Sequence, residues 1–351
     1  MKKRLSQVAE FAGVSETTAR RVLNGATDVA PATRDAVLTA MDVCGFERPR
    51  ELQRPRAALV GLVVPDLQNP IFPAFAEALA GLLNKRGLIP VLCTRTADGV
   101  SEAHYIDMIL RQNIGGIIFV GASYADAGPE QGRALRERQV PIVLLNAADE
   151  NLGVAQVSID DAASAQQVLG HLEAMGHERI GMILGPVGHV PSARKLAGYQ
   201  AFCGTRDGLR DDWRKLVAHG LFSMEGGATA LPRLLAEGVT AVVCASDALA
   251  LGAIRAARRQ GLRVPEDLSV VGFDDSLYMV ATDPPLTTAR QPVQAMAAAA
   301  VASLASQMKG HAAAGEQMMF DTELIVRSST APPGRTAGRR GSRAGGGART
   351  S

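Results

Sequence analysis

Glu16, Thr17, Arg20, Arg21 and Asn24 share one face of a helix if Ala19, Val22 and Leu23 turn inward. Two guanidinium forks, an amide, a hydroxyl and a carboxylate together can meet base edges in a major groove and the phosphates beside it. Far along the chain, Asp247 and Asp274 each follow an apolar run, Ala241–Cys244 and Ser269–Phe273. A carboxylate beyond the C-terminal end of a buried strand stands where α/β proteins hold ligands, and it accepts hydrogen bonds from hydroxyl groups. The pairs Asp160/Asp161 and Asp274/Asp275 are sequence neighbours whose side chains diverge, so neither makes an acid/base couple by itself.

The elements that must carry the first set lie in Leu5–Gly25, which reads as two short helices joined by a glycine turn. Val8, Ala9, Val14, Val22 and Leu23 can meet in a small core, Gly13 supplies the positive φ of the turn, and Ser15 stands at the N-cap of the second helix. Glu16 has two roles open to it: accepting a hydrogen bond from a cytosine amino group, or pairing with Arg20 at i, i+4. A third helix is expected from Pro31 to Cys44, with Val37, Leu38, Met41 and Val43 as its apolar set and Gly45 ending it. The bland alternative is a three-helix unit whose outward charges are only solvated.

Charge favours the nucleic-acid reading. Through Arg56 there are ten Lys or Arg against seven Asp or Glu, whereas residues 57–330 carry 22 against 28, and five Arg follow. Phosphate neutralisation by a basic head supplies non-specific DNA affinity, and the acidic remainder is repelled by the same duplex.

At 351 residues, 47% hydrophobic and 21% charged, the chain matches a globular protein of two to three domains. No apolar run approaches a membrane span, and Ser6, Gln7 and Glu10 interrupt any signal-peptide core after Met1–Arg4. Cys44, Cys93, Cys203 and Cys244 are too far apart for a zinc site or a disulfide framework, and the six histidines show no metal spacing. A reduced, cytoplasmic setting is expected, with no metal and no cofactor.

From Leu59 onward strand signals alternate with helical ones. Leu59–Pro65, Ile89–Cys93, Gly116–Val120 and Ile142–Leu145 form one series; Ile180–Leu184, Leu216–Ala218, Ala241–Cys244 and Ser269–Phe273 form another, with helices such as Asp161–Met175 and Ala248–Gln260 between them. The expected architecture is an N-terminal three-helix helix-turn-helix head followed by an α/β core of two doubly wound parallel-sheet subdomains, with a ligand cleft between them. The expected divisions are 1–46 for the head, 47–58 for a Pro/Arg-rich linker, 59–330 for the core and 331–351 for a disordered Gly/Arg-rich tail.

Val8-Ala-Glu-Phe-Ala-Gly-Val-Ser15, Arg21-Val-Leu-Asn-Gly25, Val64-Pro-Asp-Leu-Gln-Asn-Pro-Ile-Phe72, His171-Leu-Glu-Ala-Met-Gly-His177 and Val270-Val-Gly-Phe-Asp-Asp275 with Pro285-Leu-Thr-Thr288 carry a resemblance. Over residues 4–329 the chain resembles the lactose-repressor and galactose-repressor family of bacterial transcription regulators. The resemblance implies a homodimer whose paired heads read a pseudo-palindromic double-stranded operator, and a periplasmic-binding-protein-like core that senses a small molecule. It makes Ser15, Glu16, Thr17, Thr18, Arg20, Arg21 and Asn24 the DNA contacts, with Leu52 the apolar candidate for a minor-groove wedge in a linker shorter than usual. Arg20 departs from the family pattern, as does Ala30 before the third helix.

In the core the resemblance implies ligand contacts at Asp66, Asn69, Phe72, Asp160, Arg194, Lys195, Phe222, Asp247, Asp274 and Gln291. Asp66, Asn69 and Asp160 are also residue types that cap helices, and an aromatic such as Phe222 at a strand end also serves as core. Lys195 stands where the family usually has a ligand-binding arginine and lacks its planar fork. Several carboxylates with amide partners suit a polyhydroxylated neutral molecule, a sugar first and a purine-type ligand second, acting as inducer or as corepressor.

An enzyme is the rival from another class, because fold alone does not decide function. No Gly-x-Gly-x-x-Gly follows the first strand, and neither a Gly-x4-Gly-Lys-Ser/Thr loop nor a Gly-x-Ser-x-Gly elbow occurs. An exported solute-binding protein would need a signal peptide and no head.

Overall fold

The computed structural model describes residues 2–24, 26, 29–44, 58–94, 114–121, 140–147, 153–206, 209, 212–311, 315 and 317–334. The expected linker residues 47–57 with Leu52, the segments 95–113 and 122–139 between early strands, and residues 335–351 of the tail lie outside them. The chain divides into two compact units at Ala58/Leu59.

The first unit holds α1 (Lys2–Phe11), α2 (Glu16–Leu23) and α3 (Pro31–Val43). Gly13 takes φ +67° in the turn, and the Ser15 hydroxyl accepts a hydrogen bond from Thr18 N at 3.1 Å to cap α2. Val8, Ala9, Ala19, Val22, Val37, Ala40 and Met41 make the core, while Val14 and Leu23 are only partly buried against it. Val43, expected to face inward, is 59% exposed. Val37, Ala40 and Met41 follow the i, i+3, i+4 stripe, and Val43 falls off it.

The second unit contains two six-stranded sheets. The first half consists of β1 (Leu59–Val64), α4 (Ile71–Asn84), β2 (Ile89–Thr94), β3 (Gly116–Val120), β4 (Ile142–Leu145) and β5 (Ala155–Ile159). The second half consists of α5 (Asp161–Ala174), β6 (Ile180–Leu184), α6 (Val190–Gly204), β7 (Val217–His219), α7 (Met224–Ala236), β8 (Ala241–Cys244), α8 (Asp247–Arg259), β9 (Ser269–Asp274) and β10 (Thr287–Arg290). The chain then returns: α9 (Val293–Met308) and β11 (Gln317–Phe320) join the first half, and β12 (Glu323–Ile325) joins the second.

The sheet orders are β11-β5-β4-β3-β1-β2 and β12-β10-β9-β8-β6-β7. Among the described residues the pairings are parallel except that of β12 with β10. Continuous apolar strands such as Leu59–Val64 and Ile180–Leu184 are almost wholly buried along their length, which is why they do not alternate. Leu216 ends a 3-10 turn and β7 begins at Val217, one residue later than expected. The strands β5, β10, β11 and β12 lie beyond the eight read from sequence.

The chain crosses between the halves at Asp160/Asp161, at Gln291/Pro292 and at Asp321/Thr322. Thr322 Oγ1 donates to Ser164 Oγ at 2.8 Å, tying the third crossing to the helix that starts at the first. Residues from α9, Met296, Ala297, Ala300, Val301 and Leu304, are buried in the same cluster as β1, β3, β4 and α4.

Helices α7 and α8 pack at backbone distance: a Cβ added at Gly227 would run into the Leu249 carbonyl. Gly227→Ala should therefore destabilise the core by about 1–3 kcal/mol, against the gain of about 1 kcal/mol that alanine brings to an unconstrained helix. Urea unfolding followed by circular dichroism reads this as a lower midpoint; an unchanged or higher midpoint would show that the helices separate freely.

Candidate functional site

On α2, Glu16, Thr17, Arg20, Arg21 and Asn24 are exposed, and Ala19 and Val22 are buried beneath them. Thr18 is partly buried, its hydroxyl 2.9 Å from that of Ser15. Among the described residues no ion pair joins Glu16 to Arg20. The helix thus presents cations, a carboxylate and hydroxyls outward from a short, capped scaffold.

In the core, the strand ends of both halves border a cavity of about 50 Å³. Six of the ten residues expected at a ligand line it: Asn69, Phe72, Lys195, Phe222, Asp274 and Gln291. Asn146, Asp161, His189 and Ser246 line it as well and were not singled out from sequence.

The other four do not line it. Asp66 Oδ1 accepts from Gln68 N at 2.8 Å and Asn69 N at 3.0 Å, shaping the turn before α4. Asp160 caps α5, accepting from Ala163 N at 2.9 Å. Asp247 is fully buried, with Oδ1 accepting from Thr288 Oγ1 at 2.6 Å and Oδ2 from Ser276 N at 2.7 Å. Arg194 is half-buried outside the cavity lining.

Asp274 ends β9 with φ +112°, and Asp275 follows with φ +54°, a sharp left-handed turn that non-glycine residues rarely adopt. The turn is held through Asp275, whose two carboxylate oxygens pair with Arg290 and Arg327 at 2.7 Å each. It leaves the Asp274 side chain buried at the cavity, where Oδ1 accepts from Gln291 Nε2 at 2.6 Å. Gln291 Oε1 accepts in turn from Asn146 Nδ2 at 2.8 Å, and Asn146 Oδ1 from Ile159 N at 3.3 Å. One chain of hydrogen bonds therefore runs from the second half, through a crossing residue, into the first. Burial, and the nearby Asp247 charge, push the Asp274 carboxyl well above the usual range.

Lys195 is buried, paired with Asp161 and seated 4.5 Å from the centroid of the Phe273 ring. His189 stands edge-on to Phe222 with ring centroids 4.9 Å apart. Burial, then the Lys195 charge, lower its value to about 4, so it is neutral at pH 7. Apolar and aromatic walls with few convergent polar groups are what a small-molecule site requires. Among the described residues no group of His, Cys, Asp and Glu could hold a metal ion, and no helix is long and apolar enough to cross a membrane.

Burial also raises Asp247, from 3.8 to about 6. The folded form holds the proton more tightly than the unfolded chain, so this contribution to stability is complete below pH 3.8 and is lost as pH rises through about 6. Asp247→Asn removes it. Wild-type stability relative to the variant should fall by about 2–3 kcal/mol between pH 4 and pH 7, as measured by denaturant unfolding of both proteins. A pH-independent difference would mean that Asp247 is not appreciably desolvated.

Residues 4–48 match the family model described as bacterial regulatory proteins, lacI family, and residues 169–330 match a periplasmic binding protein-like domain. The HTH-type transcriptional regulator MalR of Streptomyces coelicolor is 45% identical over 335 residues, covering 94% of this chain and 97% of the relative. The solved transcriptional regulator CelR-cellobiose complex is 32% identical with a TM-score of 0.69, covering 93% of this chain and 99% of that one. The lac repressor dimer bound to operator and the anti-inducer ONPF is 27% identical with a TM-score of 0.74, covering 92% and 98%. Head, two-sheet core and full-length identity agree: the chain belongs to the lactose-repressor family of bacterial regulatory proteins, as a DNA-binding transcriptional regulator with a ligand-binding core and not an enzyme.

Proposed function

We propose that the protein is a repressor that acts in the cytoplasm as a homodimer, gripping a pseudo-palindromic operator through the exposed face of α2 and releasing it when a sugar occupies the core cleft. The observation that carries the effector half of this reading is the buried, left-handed Asp274, hydrogen-bonded through Gln291 to Asn146 across the crossing between halves. A ligand that bonds to this chain engages both halves at once. The cellobiose bound by one similar regulator and the operator-bound dimer of another support the same reading.

A cavity of about 50 Å³ holds a few water molecules, whereas ligand pockets span about 300–1,000 Å³. An adjoining groove of about 860 Å³ shares Ile71, Asp274 and Gln291 with it, so a sugar has room beside the cavity, and filling the cavity itself requires the halves to move apart. That change can alter DNA affinity only if the effector binds the two arrangements unequally, and the operator must weaken effector binding by the same factor. Leu52 is proposed to contact the minor groove, and Asp66, Asp160, Arg194 and Asp247 to support the cleft from behind.

The test begins with selection of genomic fragments by the purified protein without effector, at a fixed salt concentration, where one pseudo-palindrome is expected. On that fragment Arg21→Ala should weaken binding about 5- to 150-fold, the range of one good base contact, without altering the core. Asp274→Ala should bind the fragment normally and ignore the sugar that releases the wild type. A sugar that tightens binding would make the protein corepressor-dependent, and a folded Arg21→Ala with wild-type affinity would overturn the assignment of α2.

A further inference from the structure

Neither α2 nor the cleft uses the arginines that follow the core. Arg335, Arg339, Arg340, Arg343 and Arg349 fall within residues 335–351, which hold no Lys, no Asp or Glu and no Phe, Tyr or Trp. They reverse the sign of the chain's charge: with them it has 37 Lys or Arg against 35 Asp or Glu, and without them 32 against 35.

Hydrogen bonds fix where this stretch is rooted. Ser329 Oγ donates to Val270 O at 2.6 Å, Ala331 N donates to Ser269 Oγ at 3.0 Å, and Ala331 O accepts from His177 Nε2 at 2.9 Å. Ser269 opens β9 and His177 precedes β6, so the root lies at the N-terminal end of the second sheet. The cavity lies at the other end, bordered by Ala245 after β8, Asp274 at the end of β9, and Gly121 and Asn146 after β3 and β4. Leu59, through which the chain enters the core, opens β1 at the N-terminal end of the first sheet. Both N-terminal ends face away from the cavity between the halves. Residues 335–351 therefore leave the core from the end opposite the one at which the chain arrives from the head.

Carboxylates around the root are already engaged. In the stretches leading into β6, β7, β8 and β9, Asp212 pairs with Lys215, Glu237 with Arg179 and Asp267 with Arg263. Among the described residues of those stretches, only Glu178 and Glu266 stand outside an ion pair, too few to neutralise the five guanidinium groups. The remaining acidic excess of the core is spread over its whole surface, whereas duplex DNA offers a charge about every 1.7 Å. Guanidinium forks match phosphate oxygens, and without an aromatic side chain the stretch lacks a platform on which unpaired bases stack. Its chemistry fits the phosphates of a duplex.

We propose that residues 335–351 are a second, sequence-independent DNA contact: their arginines bind the phosphates of a duplex other than the one held by α2, so that a regulator seated on its operator captures a further DNA segment at the far end of its core.

The experiment compares the full chain with two variants, one in which Arg335, Arg339, Arg340, Arg343 and Arg349 are all replaced by Gln, and one ending at Gly334. Both keep the bonded residues Ser329 and Ala331, and their unfolding midpoints should equal that of the wild type. Affinity for an operator-free duplex is measured from about 50 to 200 mM salt, where each phosphate contact adds about 0.9 to the slope of log K against log salt. With about three to five contacts, the wild type should lose about 50- to 500-fold more affinity over this range than either variant. On the immobilised operator fragment, occupied equally by each protein, the wild type should capture a labelled operator-free duplex and the variants should not. Equal slopes, or equal capture by the variants, overturns the proposal, and preferential capture of single-stranded RNA overturns its assignment to duplex DNA. The slope measurement needs no operator, so its failure is distinguishable from failure of the regulatory reading.

Discussion

Charge buried at the strand ends is the constraint around which the core is arranged. Asp161, Asp247, Asp274 and Lys195 lie between 0% and 6% exposed. Removing an ion from water costs several kcal/mol unless partners replace the solvent. Each partnership here also fixes an element. Asp247, at the start of α8, draws in Ser276 beyond β9 and Thr288 of β10. Asp161 and Lys195 join the start of α5 to α6. Asp274 reaches through Gln291 to the first half. The cleft is thus a set of electrostatic obligations.

Legibility in the sequence followed the strength of local signals. The head could be read because a turn glycine, a capping serine and a helical stripe coincide within Leu5–Gly25, and strands such as Gly116–Val120 because five consecutive apolar residues admit few other fates. Ala155–Ile159 was missed because Gln156 and Ser158 break its apolar run, and Thr287–Arg290 because its threonines are buried by hydrogen bonding and not by hydrophobicity. The return of α9 to the first half left no local trace: its alanine-rich stretch suits either sheet.

The site was legible where residue type and strand end coincided, as at Asp274, and illegible where tertiary partners decide. Of the neighbours Asp160 and Asp161, the first caps a helix and the second faces the cavity, and only the position of Lys195 distinguishes them. His189 carried no spacing signal; its role comes from lying against Phe222. Asp66 shows the converse, with a motif match one of whose carboxylate oxygens serves its own turn.

The return of the chain at Gln291 bears on how the protein is made. A nascent first half emerging from the ribosome has its β1–β5 strands but not Met296, Val301 or Leu304, which fill its core from α9, nor the β11 strand that pairs with β5. The second half likewise waits for β12. Neither half can close until the last stretch of the core has been translated, so the two mature almost together and an apolar surface stays open for most of synthesis, when nascent domains are most prone to misassociate.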